Sequence, residues 1–167
     1  MANEEAETTA ATRLAALEQR VGALEDELAI HRLIVRYGFA VDTGSADETG
    51  DLFTEDAVYD VDRTLVMRGR NGVRDMVRGP NHQSLLPNCA HTIGPAVVEV
   101  AGDRAIATAY SRIYRRKPGG IELWRLSFNR FELVRDAGAW RIASRTTRMV
   151  GHEEAQAVLR GGLPTPR

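Results

Sequence analysis

The sequence predicts an α+β fold, because helical periodicity fills its first part and strand alternation its second, with turn tripeptides where a meander needs them. Apolar residues step by three and four from Leu14 to Val41, whereas from Ala90 onward the pattern is alternation broken at Ala101-Gly-Asp, Pro118-Gly-Gly and Asp136-Ala-Gly. Helices segregated ahead of an antiparallel meander are expected to cover one face of a curved sheet.

Residues 1–12 are polar and small and read as a disordered tail, so order is expected from about Arg13. Leu14, Leu17, Val21, Leu24 and Leu28 then form an a/d seam with Arg13, Glu18, Arg20 and Glu25 alongside, suited to packing on the chain's own domain or on a partner subunit. Ile30, Leu33, Ile34, Tyr37 and Val41 continue the helix to about Asp42. Gly44 ends it, and Ser45 with Glu48 reads as a capping box for a short helix over about 46–53. Strands are expected at 57–61 and 64–68, a helix at 71–78, a loop at Gly79-Pro-Asn, and strands at 90–100, 103–116, 121–135 and 139–150. The Gly- and Pro-rich end from Gly161 cannot sustain regular structure, which leaves one domain over 13–150 and a C-terminal arm over 151–167.

Alternation assigns faces. On the strand at 103–116, Ile106, Thr108, Tyr110, Arg112 and Tyr114 share one side, expected to line a cavity, and Ala105, Ala107, Ala109, Ser111 and Ile113 share the other. On the last strand Arg145 falls with Ala143, Thr147 and Met149, opposite Trp140 and Ile142, while Arg141 and Arg148 read as surface charges.

The 167 residues suffice for one domain with a real core, and the 43% hydrophobic content argues against disorder over most of the length. A formal net charge of −1 with interspersed signs gives no electrostatic footprint for nucleic acid, and no apolar run reaches the ~18 residues of a membrane span. A soluble cytoplasmic protein is expected. The single cysteine, Cys89, excludes an intramolecular disulfide and reads as a small buried hydrophobe.

Four polar residues form a set suited to proton transfer: Asp42 to orient an imidazole, His91 as the base, Tyr37 to donate a hydrogen bond and Arg145 to hold developing negative charge. An arginine among apolar residues needs an anionic or carbonyl partner, and a buried tyrosine hydroxyl needs a partner too. His31, His82 and His152 fall in a helix, a loop and a tail without evident partners, and no pair has helical metal-site spacing, so no metal is expected. There is no nucleophile elbow, phosphate loop or dinucleotide fingerprint, which leaves acid–base chemistry without a cofactor.

Over roughly Leu28 to Val150 the chain resembles the SnoaL-like branch of the nuclear-transport-factor-2-like superfamily. The resemblance rests on Ile34-Val-Arg-Tyr-Gly-Phe-Ala-Val-Asp42, Leu52-Phe-Thr-Glu-Asp-Ala-Val-Tyr59, Gly69-Arg-Asn-Gly-Val-Arg74, the stretch around His91 with Val98-Glu-Val-Ala-Gly-Asp-Arg-Ala105, and Asp136-Ala-Gly-Ala-Trp-Arg-Ile-Ala-Ser-Arg145. It implies a cone-shaped curved antiparallel sheet, an α+β barrel, closed by N-terminal helices around an apolar pocket, in a homo-oligomer (dimer or trimer). The set Tyr37, Asp42, His91 and Arg145 is similar to that of dehydratase and dehydrochlorinase members, among them bile-acid 7α-dehydratase and scytalone dehydratase, which are cofactor-free lyases with an Asp–His pair. A lyase or isomerase acting on a hydrophobic, ring-bearing small molecule is the activity implied, with Tyr59, Tyr110, Tyr114 and Trp124 expected against the substrate. A tyrosine at 37, where the dehydrochlorinase has a lysine, argues against halide as the leaving group. The alternatives are a non-catalytic ligand-binding module and an accessory subunit similar to the β subunit of ring-hydroxylating dioxygenases.

Overall fold

Helix α1 (Ala2–Asp42) is continuous and so begins well before the Arg13 start expected from the sequence. The structure, a computed structural model, describes the backbone of residues 2–163 and the side chains of residues 10–163. Among the described side chains of α1, only the final turns bury apolar residues, from Ile30 through Leu33, Ile34 and Tyr37 to Val41. The helix stops at Gly44, whose φ of +70° is costly for any residue with a Cβ. Its N–H donates to the Val41 carbonyl at 3.1 Å and the Ser45 N–H to the Ala40 carbonyl at 2.9 Å, the paired bonds of a Schellman motif.

Helix α2 (Ala46–Asp51) follows, but the expected capping box does not form. Ser45 sits at φ −77°, ψ 80°, away from the extended conformation of a capping residue, because its N–H is committed to the motif before it. Its hydroxyl meets that of Thr43 at 2.9 Å instead.

Strand β1 (Phe53–Val61) starts before the strand expected from Ala57, at the expected end of the short helix, while β2 (Leu65–Arg68) and helix α3 (Gly69–Arg78) lie close to their expected places. The Gly-Pro-Asn stretch read as a loop opens a turn of helix, α4 (Pro80–Gln83), since a proline at the first helical position has no N–H to waste. The meander is β3 (Cys89–Ala101), β4 (Arg104–Lys117), β5 (Gly120–Asp136) and β6 (Ala139–Met149). Helix α5 (Ala155–Arg160) occupies part of the expected arm, anchored by buried Ala155 and Val158; residues 164–167 of that arm lie outside the described residues.

The six strands form one sheet in the order β2-β1-β6-β5-β4-β3, curved and unclosed. All pairings are antiparallel except β1 with β6, which are joined by the whole intervening chain and so have the length a parallel crossover needs. The concave face packs Ala105, Ala107, Phe131, Leu133 and Ile142 against α1 and α3, and this is the core.

Two expected faces are corrected. On β4 the alternation holds, but the alanine row faces the core, with Ser111 and Ile113 continuing it into the cavity. Tyr110 and Tyr114 belong to the opposite row; Tyr110 is 44% exposed and edge-on to Phe128 at 5.3 Å. Small side chains on the concave side let helices approach the sheet closely. On β6, residue 143 is a bulge: Ile142 pairs with Leu133 and Ser144 with Glu132, so parity flips and Arg145 shares a face with Trp140 and Ile142 rather than opposing them.

Candidate active site

Asp42 ends α1 beside the first residues of β3. Its Oδ2 accepts the backbone N–H of His91 at 2.6 Å, and its Oδ1 accepts the ring Nδ1–H of the same residue at 2.6 Å. A carboxylate accepts only, so the second bond fixes the Nδ1–H tautomer and leaves Nε2 as the free ring nitrogen. Gly38 makes this possible: a Cβ there would lie 2.6 Å from the His91 carbonyl oxygen, so any larger residue would push α1 away from β3 one turn before Asp42.

Cys89 is half-buried rather than buried, and its thiol donates to Asp42 Oδ1 at 3.7 Å. Burial and the Asp42 charge push the thiol up to about 11, so it stays protonated at neutral pH. Asp42, Cys89 and His91 place one ligand atom each within 4.8 Å of one another, close enough to share an ion. Such an ion would have to displace the Nδ1 proton and the thiol proton that Asp42 already accepts, so the donor set fits a hydrogen-bonded dyad better than a metal centre.

A cavity of about 740 Å³ opens beside the dyad, within the usual range for small-molecule sites. His91, Tyr37, Tyr59, Arg145 and Trp124 line it, with Val61, Met67, Met76, Ile93 and Ile113 supplying apolar wall. Asp42 is behind His91 and does not line it. Tyr110 and Tyr114 are on the outer row, so the expectation that they contact a ligand is overturned. Trp124 reaches the rim because it is the extra residue where β5 slips register between Leu123 and Arg125, and Arg115 lies 4.9 Å over its ring.

Arg145 is 3% exposed, and its guanidinium lies 4.2 Å over the Tyr37 ring, 4.5 Å over Tyr59 and 4.8 Å over Phe131. Its Nε and Nη2 donate to Asn129 Oδ1 at 3.1 and 2.8 Å, and Nη1 has no partner. Among the described residues no carboxylate pairs with it. Asn129 is held in turn by Thr147, whose hydroxyl donates to Oδ1 at 2.7 Å, and by Ser111, which accepts from Nδ2 at 2.7 Å. Burial pushes the Tyr37 phenol far above the usual tyrosine range, with Tyr59 adding to the rise and Arg145 opposing it, so Tyr37 is a donor at every ordinary pH.

His82, which the sequence left without a partner, is buried and lines the same cavity. Its Nε2–H donates to the Val41 carbonyl at 2.7 Å, and its ring centroid lies 6.1 Å from that of His91. Nothing local in Pro80-Asn-His82 announces this, because the partner carbonyl is 41 positions away. His31 and His152 also have partners: His31 lies 3.6 Å from Glu27, and His152 Nδ1 accepts the Glu154 N–H at 3.1 Å.

The match of residues 22–146 to the SnoaL-like domain model spans most of the chain. The chain belongs to the SnoaL-like domain family. A solved NTF2-like protein with a cystatin-like fold from Novosphingobium aromaticivorans is 35% identical with a TM-score of 0.84, over 87% of this chain and 96% of that one. A structure described as a candidate aromatic ring hydroxylase from the same organism is 29% identical with a TM-score of 0.60, over 76% and 90%. A candidate scytalone dehydratase from that organism, 17% identical with a TM-score of 0.66 over 77% and 86%, shares the fold. No curated protein matches the sequence. The SnoaL-like family includes polyketide cyclases and dehydratases, so an enzyme is compatible with this site. No helix among the described residues is long and apolar enough to cross a membrane.

Proposed function

We propose that this SnoaL-like protein is a cofactor-independent lyase or isomerase of the dehydratase kind, acting on a hydrophobic small molecule that carries an oxygen able to become anionic. The observation that carries the reading is the clamp of Asp42 on both the main chain and Nδ1 of His91, at 2.6 Å each, beside a cavity that Tyr37 and Arg145 also line.

In this reading Nε2 of His91 removes a proton from carbon next to a carbonyl, and the electron pair left behind becomes an enolate. Asp42 stabilises the imidazolium that forms. Tyr37 and Arg145 face the enolate oxygen, whose developing charge their phenol and guanidinium receive. Collapse of the enolate expels a hydroxide from the neighbouring carbon, which takes the His91 proton and leaves as water. Without a leaving group the proton returns to another carbon and the product is an isomer. The apolar wall selects a ring-bearing or otherwise hydrophobic skeleton.

The step can be tested before the natural substrate is known. Hydrophobic ketones and enones that bind by calorimetry are incubated in deuterium oxide, and exchange of the proton next to the carbonyl is followed by NMR. Wild type should accelerate exchange, and His91→Ala should lose about 10²–10⁴-fold of that acceleration with little change in binding. Equal exchange by His91→Ala would remove the acid–base reading, and tight binding without exchange by wild type would leave a ligand-binding module.

A further inference from the structure

We infer that two copies of this chain associate through a parallel, two-stranded coiled coil formed by the protruding part of α1. No residue from Ala10 to Ala29 is buried, although this stretch carries five large apolar side chains in an unbroken a/d pattern. Leu14, Leu17, Val21, Leu24 and Leu28 are 48–65% exposed. A lone helix of this length with a bare leucine seam is marginal in water and needs a cover.

Its own domain cannot provide one. Asp26 is the docking point, accepting Arg135 Nη2 at 2.7 Å and Trp140 Nε1 at 3.0 Å, and Ile30 and Leu33 continue that contact face. At about 100° per residue, the seam falls on the opposite side of α1 from Asp26, Ile30 and Leu33. The unbroken helix points the seam away from the domain along its whole length, so a second helix can lie on it without meeting the sheet.

The flanking charges choose the occupant and its direction. With Leu14, Val21 and Leu28 at a and Leu17 and Leu24 at d, the g positions are Arg13, Arg20 and Glu27, and the e positions are Glu18, Glu25 and Arg32. A parallel second copy sets each g against the next e of its partner, pairing Arg13 with Glu18, Arg20 with Glu25 and Glu27 with Arg32, all opposite in sign. An antiparallel copy sets g against g and e against e. Over the protruding heptads that puts Arg13 and Arg20 among arginines and Glu18 and Glu25 among glutamates. Val21 at the central a position, with leucine at both d positions, suits two strands. The seam is thus complementary to itself in one orientation, and a second copy of this chain is what it fits.

The test uses the full chain. Sedimentation equilibrium at micromolar concentration should give a dimer, and Leu17→Glu with Leu24→Glu should give a monomer whose thermal unfolding still reports a folded domain, since both side chains are exposed. Glu18→Arg with Glu25→Arg should also dissociate the dimer, and adding Arg13→Glu with Arg20→Glu should restore it. Orientation is read with Leu17→Cys in a Cys89→Ser background, where air oxidation should cross-link nearly all of the protein. A wild-type monomer would overturn the inference, as would a dimer indifferent to the leucine substitutions. So would a Leu17→Cys protein that dimerises yet cross-links only when mixed with a copy carrying cysteine near the other end of the seam.

Discussion

Arg145 and Arg148 stand three residues apart on β6, and both are almost fully buried, at 3% and 4% exposed, yet their surroundings are opposite in kind. Arg148 faces the outer side of the sheet. Its Nη2 donates to Asp60 and its Nε to Glu154, each at 2.7 Å, and it ties β1 to the approach of α5. The sequence read it as a surface charge; it is an internal ion pair. Arg145 faces the cavity with three aromatic rings, one neutral amide and an idle Nη1. A charge paired by two carboxylates holds the fold together, whereas a desolvated charge without an anion keeps the capacity to bind one, which is the use the proposed function makes of Arg145.

The largest effect should come from breaking the structural side of this contrast. Arg148→Met should lower stability by about 3 kcal/mol, because Asp60 loses its cation in a half-buried site. The pH dependence should change with it. The hydrogen bond from Arg148 holds the Asp60 carboxyl below the usual carboxylate range. That stability is present above the unfolded value of about 3.9 and is lost as pH falls through the lower folded value. Urea melts from pH 7 down to 2 should therefore show a shallower acid limb in the variant; an unchanged limb would mean that Asp60 is stabilised elsewhere.

Making the cavity side resemble the outer side should have an intermediate effect. Asn129→Asp supplies Arg145 with the carboxylate it lacks, at nearly constant volume, with Thr147 still donating and the Ser111 hydroxyl, now an acceptor, free to turn and donate. Stability at pH 7 should rise by about 2 kcal/mol, while affinity for carboxylate- or enolate-like ligands falls at least tenfold. Denaturant midpoints and calorimetry on one preparation decide it. A variant that is stabilised but binds such ligands as wild type would show that Arg145 does not meet them.

The smallest stability change is expected at Arg145 itself. Arg145→Met removes an unpaired buried charge and keeps its bulk, so the free energy of unfolding should stay within about 1 kcal/mol of wild type even as the proton exchange described above is lost. A drop as large as that for Arg148→Met would place Arg145 among the structural residues and erase the contrast.

Much of this was legible in the chain. The helical stripe ending at Gly44 and the strands from about Ala90 onward follow from local chemistry, because periodicity and turn residues are written in neighbouring positions, and Tyr37, Asp42, His91 and Arg145 stand out one by one as polar groups, though not as neighbours of one another. The sequence also contains the e/g charge pattern around the α1 seam, which needs only helical geometry to interpret. What tertiary structure decided is everything that depends on parity or on distant approach. A single inserted residue at position 143 turned Arg145 to the core face, and close helix packing gave the concave side of β4 to alanines and sent Tyr110 and Tyr114 outward. His82 acquired its partner from a carbonyl on α1, and Gly38 acquired its role only when β3 passed beside it. Alternation has a period of two, so one extra residue reverses every assignment beyond it, and contacts between elements far apart in the chain leave no local signature for a sequence to carry.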